Sequence, residues 1–165
     1  MNQQATIISY YPIGHFLTPY NDISEMPIQP SGADGSRGRI VVYPEFAEGL
    51  ADLDGFSHLI IISHLHQAQG FALTVTPFLD TNPHGVFATR APRRPNAIGF
   101  SVMELVTIEE NIITVNRADV LNETPVLDIK PYVPAFDSWE TARIGWLTGK
   151  SENARQHRSD DRFRS

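Results

Sequence analysis

Short apolar runs rich in β-branched residues, each closed by a proline, glycine or asparagine–acid turn, fill most of this 165-residue chain. A chain written this way has to pair many short strands. Residues 5–20 are apolar and aromatic and end at Thr18-Pro19-Tyr20-Asn21-Asp22. A loop rich in proline and glycine follows over 24–38, then a strand at 39–43 stopped by Pro44. Residues 56–67 and 71–78 read as long strands with Gly70 as the turn between them. Residues 98–106, a turn at Glu109-Glu110-Asn111, residues 112–115 and residues 126–129 complete the set. Frequent short strands with turn signals predict a mostly β, antiparallel architecture, a barrel or a sandwich.

One helix is expected near the C-terminal end. Asp137 is the cap, Glu140 stands three positions on in capping-box spacing, and Trp139, Ala142 and Trp146 recur on one face until Gly149. Residues 1–149 therefore read as one domain, which at this length buries roughly 70% of its unfolded surface. Residues 150–165 are almost wholly polar and read as a disordered tail.

The chain has no cysteine, which excludes disulfides and thiol catalysis. Its longest aliphatic run, Leu59-Ile60-Ile61-Ile62, is far too short to span a membrane. No basic segment precedes an apolar stretch at the start, so a cytoplasmic location is expected.

Charge is unevenly spread. Residues 1–149 hold eight bases and sixteen acids, and residues 150–165 hold five bases and three acids, so the net −6 divides into −8 and +2. Three of the body's eight bases fall between Arg90 and Arg94, in a stretch from Gly85 to Ser101 that contains no acid. Pro92 and Pro95 stiffen it and restrict the residue before each. A rigid cationic segment on an acidic body suits a localised anion, although long-range attraction of nucleic acid is weakened.

Other motifs weigh less. Gly32, Gly35 and Gly38 lack the dinucleotide order and precede a strand rather than a helix. The stretch from Gly145 to Ser151 is one residue too short for a phosphate loop. His58, His64 and His66 share one strand face with Ile60 and Ile62 and border the core. No third or fourth ligand stands in a fixed motif nearby, so no metal is expected, and His66 with Gln67 reads as a polar ligand contact. Asp52 and Asp54 read as a solvated turn. Asp128 and Lys130 share a face and can pair with each other or with a ligand.

Val86-Phe87-Ala88-Thr89-Arg90, Arg94-Pro95-Asn96 and Ile98-Gly99-Phe100-Ser101 together resemble the signature of the TsaA-like (TrmO, formerly YaeB) family. Ile13-Gly14, the stretch from Leu53 to Leu59 and the stretch from Thr124 to Pro134 resemble its other motifs, in order. The resemblance implies a single-sheet β-barrel. It also implies a methyltransferase that uses S-adenosylmethionine to modify N6 of threonylcarbamoyladenosine beside the anticodon, in the anticodon stem-loop of tRNA. A homodimer with the cofactor near its interface is implied as well.

Carried over residue by residue, Gln29, Pro30, Ser31, Gly32, His66, Gln67, Arg90, Phe100, Arg117, Ala118 and Asp119 would hold the cofactor. Arg90 would grip its carboxylate and Asp119 its ribose. Arg93, Arg94, Asn96 and Lys130 would contact tRNA, and Asp119, Asp128 and His66 are candidate bases. The chain departs from the pattern in having Asn122-Glu123-Thr124-Pro125 where the family has Asp-Gly-Thr-Pro, and no basic stretch over 75–80. A methyltransferase with another acceptor, or a cofactor-binding regulatory module, are the alternatives.

Overall fold

The computed structural model describes residues 6–22 and 36–150. Six strands close into one antiparallel barrel: β1 (Gly14–Leu17), β2 (Arg37–Val42), β3 (His58–His64), β6 (Ile98–Glu109), β7 (Ile112–Asn116) and β8 (Pro125–Pro131). They run in the order β1-β2-β7-β6-β3-β8, and β8 returns to β1. Two short strands, β4 (Thr74–Val75) and β5 (His84–Gly85), form a separate hairpin outside it. The single-sheet barrel expected from the sequence is the one observed.

Alternation along each strand explains the core. Phe16, Ile40, Val42, Leu59, Ile61, Met103, Ile113, Val115 and Val126 all point inward and are buried. Gly14 permits the β1–β2 contact, because a Cβ there would lie 2.3 Å from the Val41 carbonyl oxygen. Gly38, expected in the flexible loop, is a packing glycine of β2: a Cβ would meet that of Ala118 at 2.6 Å.

The three histidines do lie on one face of β3 or just beyond its end, but it is the outer one. Leu59, Ile61 and Ser63 face the core, and Ile60 and Ile62 face outward with the histidines. The apolar run was long enough that alternation alone did not say which half faced in. The long strand expected over 5–20 shrinks to four residues. Ile7, Ile8, Tyr10 and Tyr11 are exposed, because pairing with β2 and β8 begins only at Gly14. The strand expected over 71–78 shrinks to Thr74–Val75, closed by its hairpin with β5.

The C-terminal helix is shorter and earlier than expected: α1 spans Pro134–Asp137. Asp137 is its last residue rather than its cap, and its Oδ2 accepts the Val133 N–H at 2.8 Å. The Trp139, Ala142 and Trp146 face never forms. Trp139 stays exposed, and Trp146 lies in a 3₁₀ turn, Gly145–Leu147. Its indole N–H donates to the Ala88 carbonyl at 2.8 Å and its ring stacks on His84 at 4.5 Å. Gly145 and Gly149 both have positive φ. Tertiary contact outweighs a local period carried by few residues. The expected tail lies outside the described residues from 151 onward.

Candidate functional site

One rim of the barrel gathers most of the residues singled out from sequence. The end of β3, the start of β6 and the start of β8 meet there, since His64 pairs with Ile98 and Ser63 with both Gly99 and Val126. The end of β1 and the start of β2 reach the same rim: Thr18 Oγ1 donates to the Val120 carbonyl, and Arg117 N–H to the Ser36 carbonyl.

Arg90 is exposed, and its guanidinium lies 5.5 Å from the centroid of the Phe100 ring. Phe100 is on the outer face of β6, opposite Ile62, and is half exposed. Ser101, the next residue, points inward and donates from Oγ to Asp119 Oδ1 at 2.8 Å. Gly99 allows this crossing, because a Cβ there would sit 2.4 Å from Ser63 Oγ. Asp119 lies just past β7, between the buried Ala118 and Val120. Burial pushes its carboxyl up to about 6, against the opposing pull of the Ser101 hydrogen bond and the Arg90 charge. An outward guanidinium on an aromatic ring thus stands beside an inward carboxyl that is more basic than an ordinary one.

His66 follows the end of β3, with Nδ1 3.4 Å from Thr124 Oγ1. Burial and the neighbouring His64 lower it from the ordinary histidine value, and Glu123 opposes them. Glu123 occupies the left-handed region at φ 61°, the position where the family pattern has glycine. Asn122, where the family pattern has aspartate, accepts the Thr18 N–H on Oδ1 at 3.1 Å. Arg117, also left-handed at φ 62°, and Gln67 are exposed beside this group.

Asp128 and Lys130 are on the outer face of β8 and pair with each other at 2.6 Å. Asp128 lies opposite Ile62, as Phe100 does on the other side. Arg94 turns back on its own segment. Its Nη1 donates to the carbonyls of Val86, Thr89 and Ala91 at 3.0, 2.8 and 3.4 Å. Arg93 Nε is buried with no hydrogen-bond partner among the described residues, and Asn96 is exposed. Gln29, Pro30, Ser31 and Gly32 lie outside the described residues. Among the described residues no group of three or more histidines and acids could hold a metal ion, and no helix is long and apolar enough to cross a membrane.

The sequence reading missed Ser101 as the partner of Asp119, although the alternation of β6 turns it inward. It also missed the Phe87–Arg94 stack and the Trp146 anchor, which no local pattern signals.

A family model described as the tRNA-methyltransferase O N-terminal domain matches residues 15–138. The chain belongs to this family. Among relatives of this tRNA-methyltransferase O domain is a probable S-adenosyl-L-methionine-binding protein of Pyrococcus abyssi, 48% identical over 95% of this chain and 85% of that protein. The human tRNA (adenine(37)-N6)-methyltransferase is 36% identical over 77% of this chain, which spans 30% of the human protein. A crystal structure of TrmO from Pseudomonas aeruginosa superposes with a TM-score of 0.72 at 37% identity, over 86% of this chain and 63% of that one.

Proposed function

We propose that this protein is an S-adenosylmethionine-dependent methyltransferase that modifies N6 of threonylcarbamoyladenosine beside the anticodon of tRNA. The observation that carries the reading is the rim where Arg90 and Phe100 stand against Ser101 and Asp119, in a chain of the tRNA-methyltransferase O family. Its chemistry suits the cofactor: an exposed guanidinium for the carboxylate, a half-exposed aromatic ring for a flat or cationic group, and a carboxyl for the ribose hydroxyls or a proton. His66, Gln67, Arg117 and Ala118 are assigned to the cofactor with them, as are Gln29, Pro30, Ser31 and Gly32, which lie outside the described residues.

S-adenosylmethionine, when bound, supplies an electrophilic methyl carbon on a sulfonium. The chain then has to align the acceptor nitrogen and receive its proton. Asp119, Asp128 and His66 are the candidates for the proton, and of these Asp119 and His66 stand at the rim with Ser101 and Thr124. Asp119 is the base we favour: it stands at the rim against Ser101 and near the Arg90 charge, and burial makes it more basic than an ordinary carboxyl. Arg93, Asn96 and Lys130 contact the RNA, and Arg94 shapes the segment that presents them.

The protein works in the cytoplasm as a homodimer with the cofactor near the interface. Half-exposed Ile98 and Phe100, beside Ile62 on the outer face of β3 and β6, support that pairing. Titration calorimetry with S-adenosylmethionine tests the cofactor site: micromolar binding at one site per chain is expected, and no detectable heat would overturn the reading.

A further inference from the structure

Phe87 lies in the middle of the cationic segment and is 74% exposed. Leaving such a ring in water forgoes stabilisation that its burial would bring, yet everything around it is fixed. Val86 before it is buried in the satellite cluster with Val75 and Ala91. The Ala88 carbonyl after it takes the Trp146 indole N–H, and Trp146 is stacked on His84. His84 Nε2 in turn contacts Asp80 Oδ2 at 2.9 Å, and Lys150 Nζ reaches the same oxygen at 2.6 Å. Thr89 Oγ1 donates to the Val86 carbonyl at 2.9 Å and closes the 3₁₀ turn Val86–Ala88. The ring is therefore held on a braced turn, not on a loose loop tip.

One side of that ring is already occupied. The Arg94 guanidinium stands 5.9 Å from its centroid, and the three carbonyls bound by Nη1 keep it there. A cation against one face leaves the opposite face open and better able to stack on an electron-rich ring. Exposed Arg90 and partly buried Arg93 lie within a few residues, and no acid interrupts the stretch from Gly85 to Ser101. Phosphate-seeking charge beside a braced, open aromatic face is the combination that single-stranded nucleic acid requires.

We infer that Phe87, backed by Arg94, is a stacking platform for an unpaired base of the RNA substrate. This rests on the tRNA reading above and adds a residue that reads the loop by its π-face, independent of base identity. Phe87 is not among the residues assigned to the cofactor. Trp146, Asp80 and Lys150 brace the turn that presents it.

The test compares Phe87→Leu, which keeps apolar bulk without an aromatic face, with Phe87→Trp. Anticodon stem-loop RNA binding is followed by fluorescence anisotropy and S-adenosylmethionine binding by calorimetry. Phe87→Leu is expected to weaken RNA binding about tenfold with an unchanged salt slope. Phe87→Trp is expected to retain affinity and to lose indole fluorescence on adding RNA. Cofactor affinity should hold in both. Wild-type RNA affinity in Phe87→Leu would overturn the platform alone. So would a change of oligomeric state in Phe87→Leu with RNA affinity intact, which would give the ring to a protein interface. Failure of the wild-type protein to bind the RNA would instead sink the parent reading.

Discussion

Arg90 and Asp119 face different surroundings although they feel each other's charge. Arg90 is exposed over the Phe100 ring, where its guanidinium is open to an anion. Arg90→Ala is expected to weaken S-adenosylmethionine binding at least about tenfold by calorimetry, the cost of one charge-assisted pair. An unchanged affinity would remove Arg90 from the cofactor site. Asp119 is held at about 6 chiefly by burial. Between roughly pH 4 and pH 6 the folded protein keeps a proton there that the unfolded chain has released. Its stabilising contribution is full below about pH 4 and is lost as pH rises through about 6. Asp119→Asn keeps an oxygen to accept from Ser101, so it should be more stable than the parent at pH 8 by about 2 kcal/mol, with the gap closing by about pH 4. Urea denaturation at both values checks this, and a gap independent of pH would contradict it. Methyl transfer should fall sharply in the same variant. The position of Arg90 in an acid-free, proline-stiffened stretch was legible in the sequence. The inward turn of Ser101 onto Asp119 was not, because it depends on which face of β6 closes the barrel.

Among the elements, the barrel strands bounded by clear turn residues were the most readable. β2, β3, β6, β7 and β8 fall close to their expected places, each paired on both sides in the closed barrel. Apolar runs without such neighbours did not become strands, as residues 6–12 show. The expected helix failed for a related reason: the Trp146 indole found a carbonyl and a stacked imidazole 58 and 62 residues away in sequence, and two glycines released the backbone to reach them. The turn before β8 shows the opposite case, a sequence departure with a readable physical cost. Glu123 holds φ 61°, which glycine adopts without strain. Glu123→Gly is therefore expected to stabilise the protein by about 1 kcal/mol, read from the denaturation midpoint at constant slope. Destabilisation would mean that the Glu123 side chain contributes more than its backbone costs.

For the whole molecule, the barrel supplies a ring of short strands, and the residues proposed for the chemistry collect at the rim where β1, β2, β3, β6 and β8 end or begin. The body is acidic, so the cations between Arg90 and Arg94, with the exposed rings of Phe87 and Phe100 on either side, form its most concentrated feature suited to an anionic partner. Light scattering at micromolar concentration should give the mass of a dimer, and a monomer would separate the cofactor site from any interface. The central claim is tested most directly by incubating the protein and labelled S-adenosylmethionine with two preparations of the same threonine-accepting tRNA, with and without threonylcarbamoyl on the adenosine beside the anticodon. Label should pass to the modified tRNA and not to the unmodified one. Bound cofactor with no transfer to either, or equal transfer to both, would contradict the account.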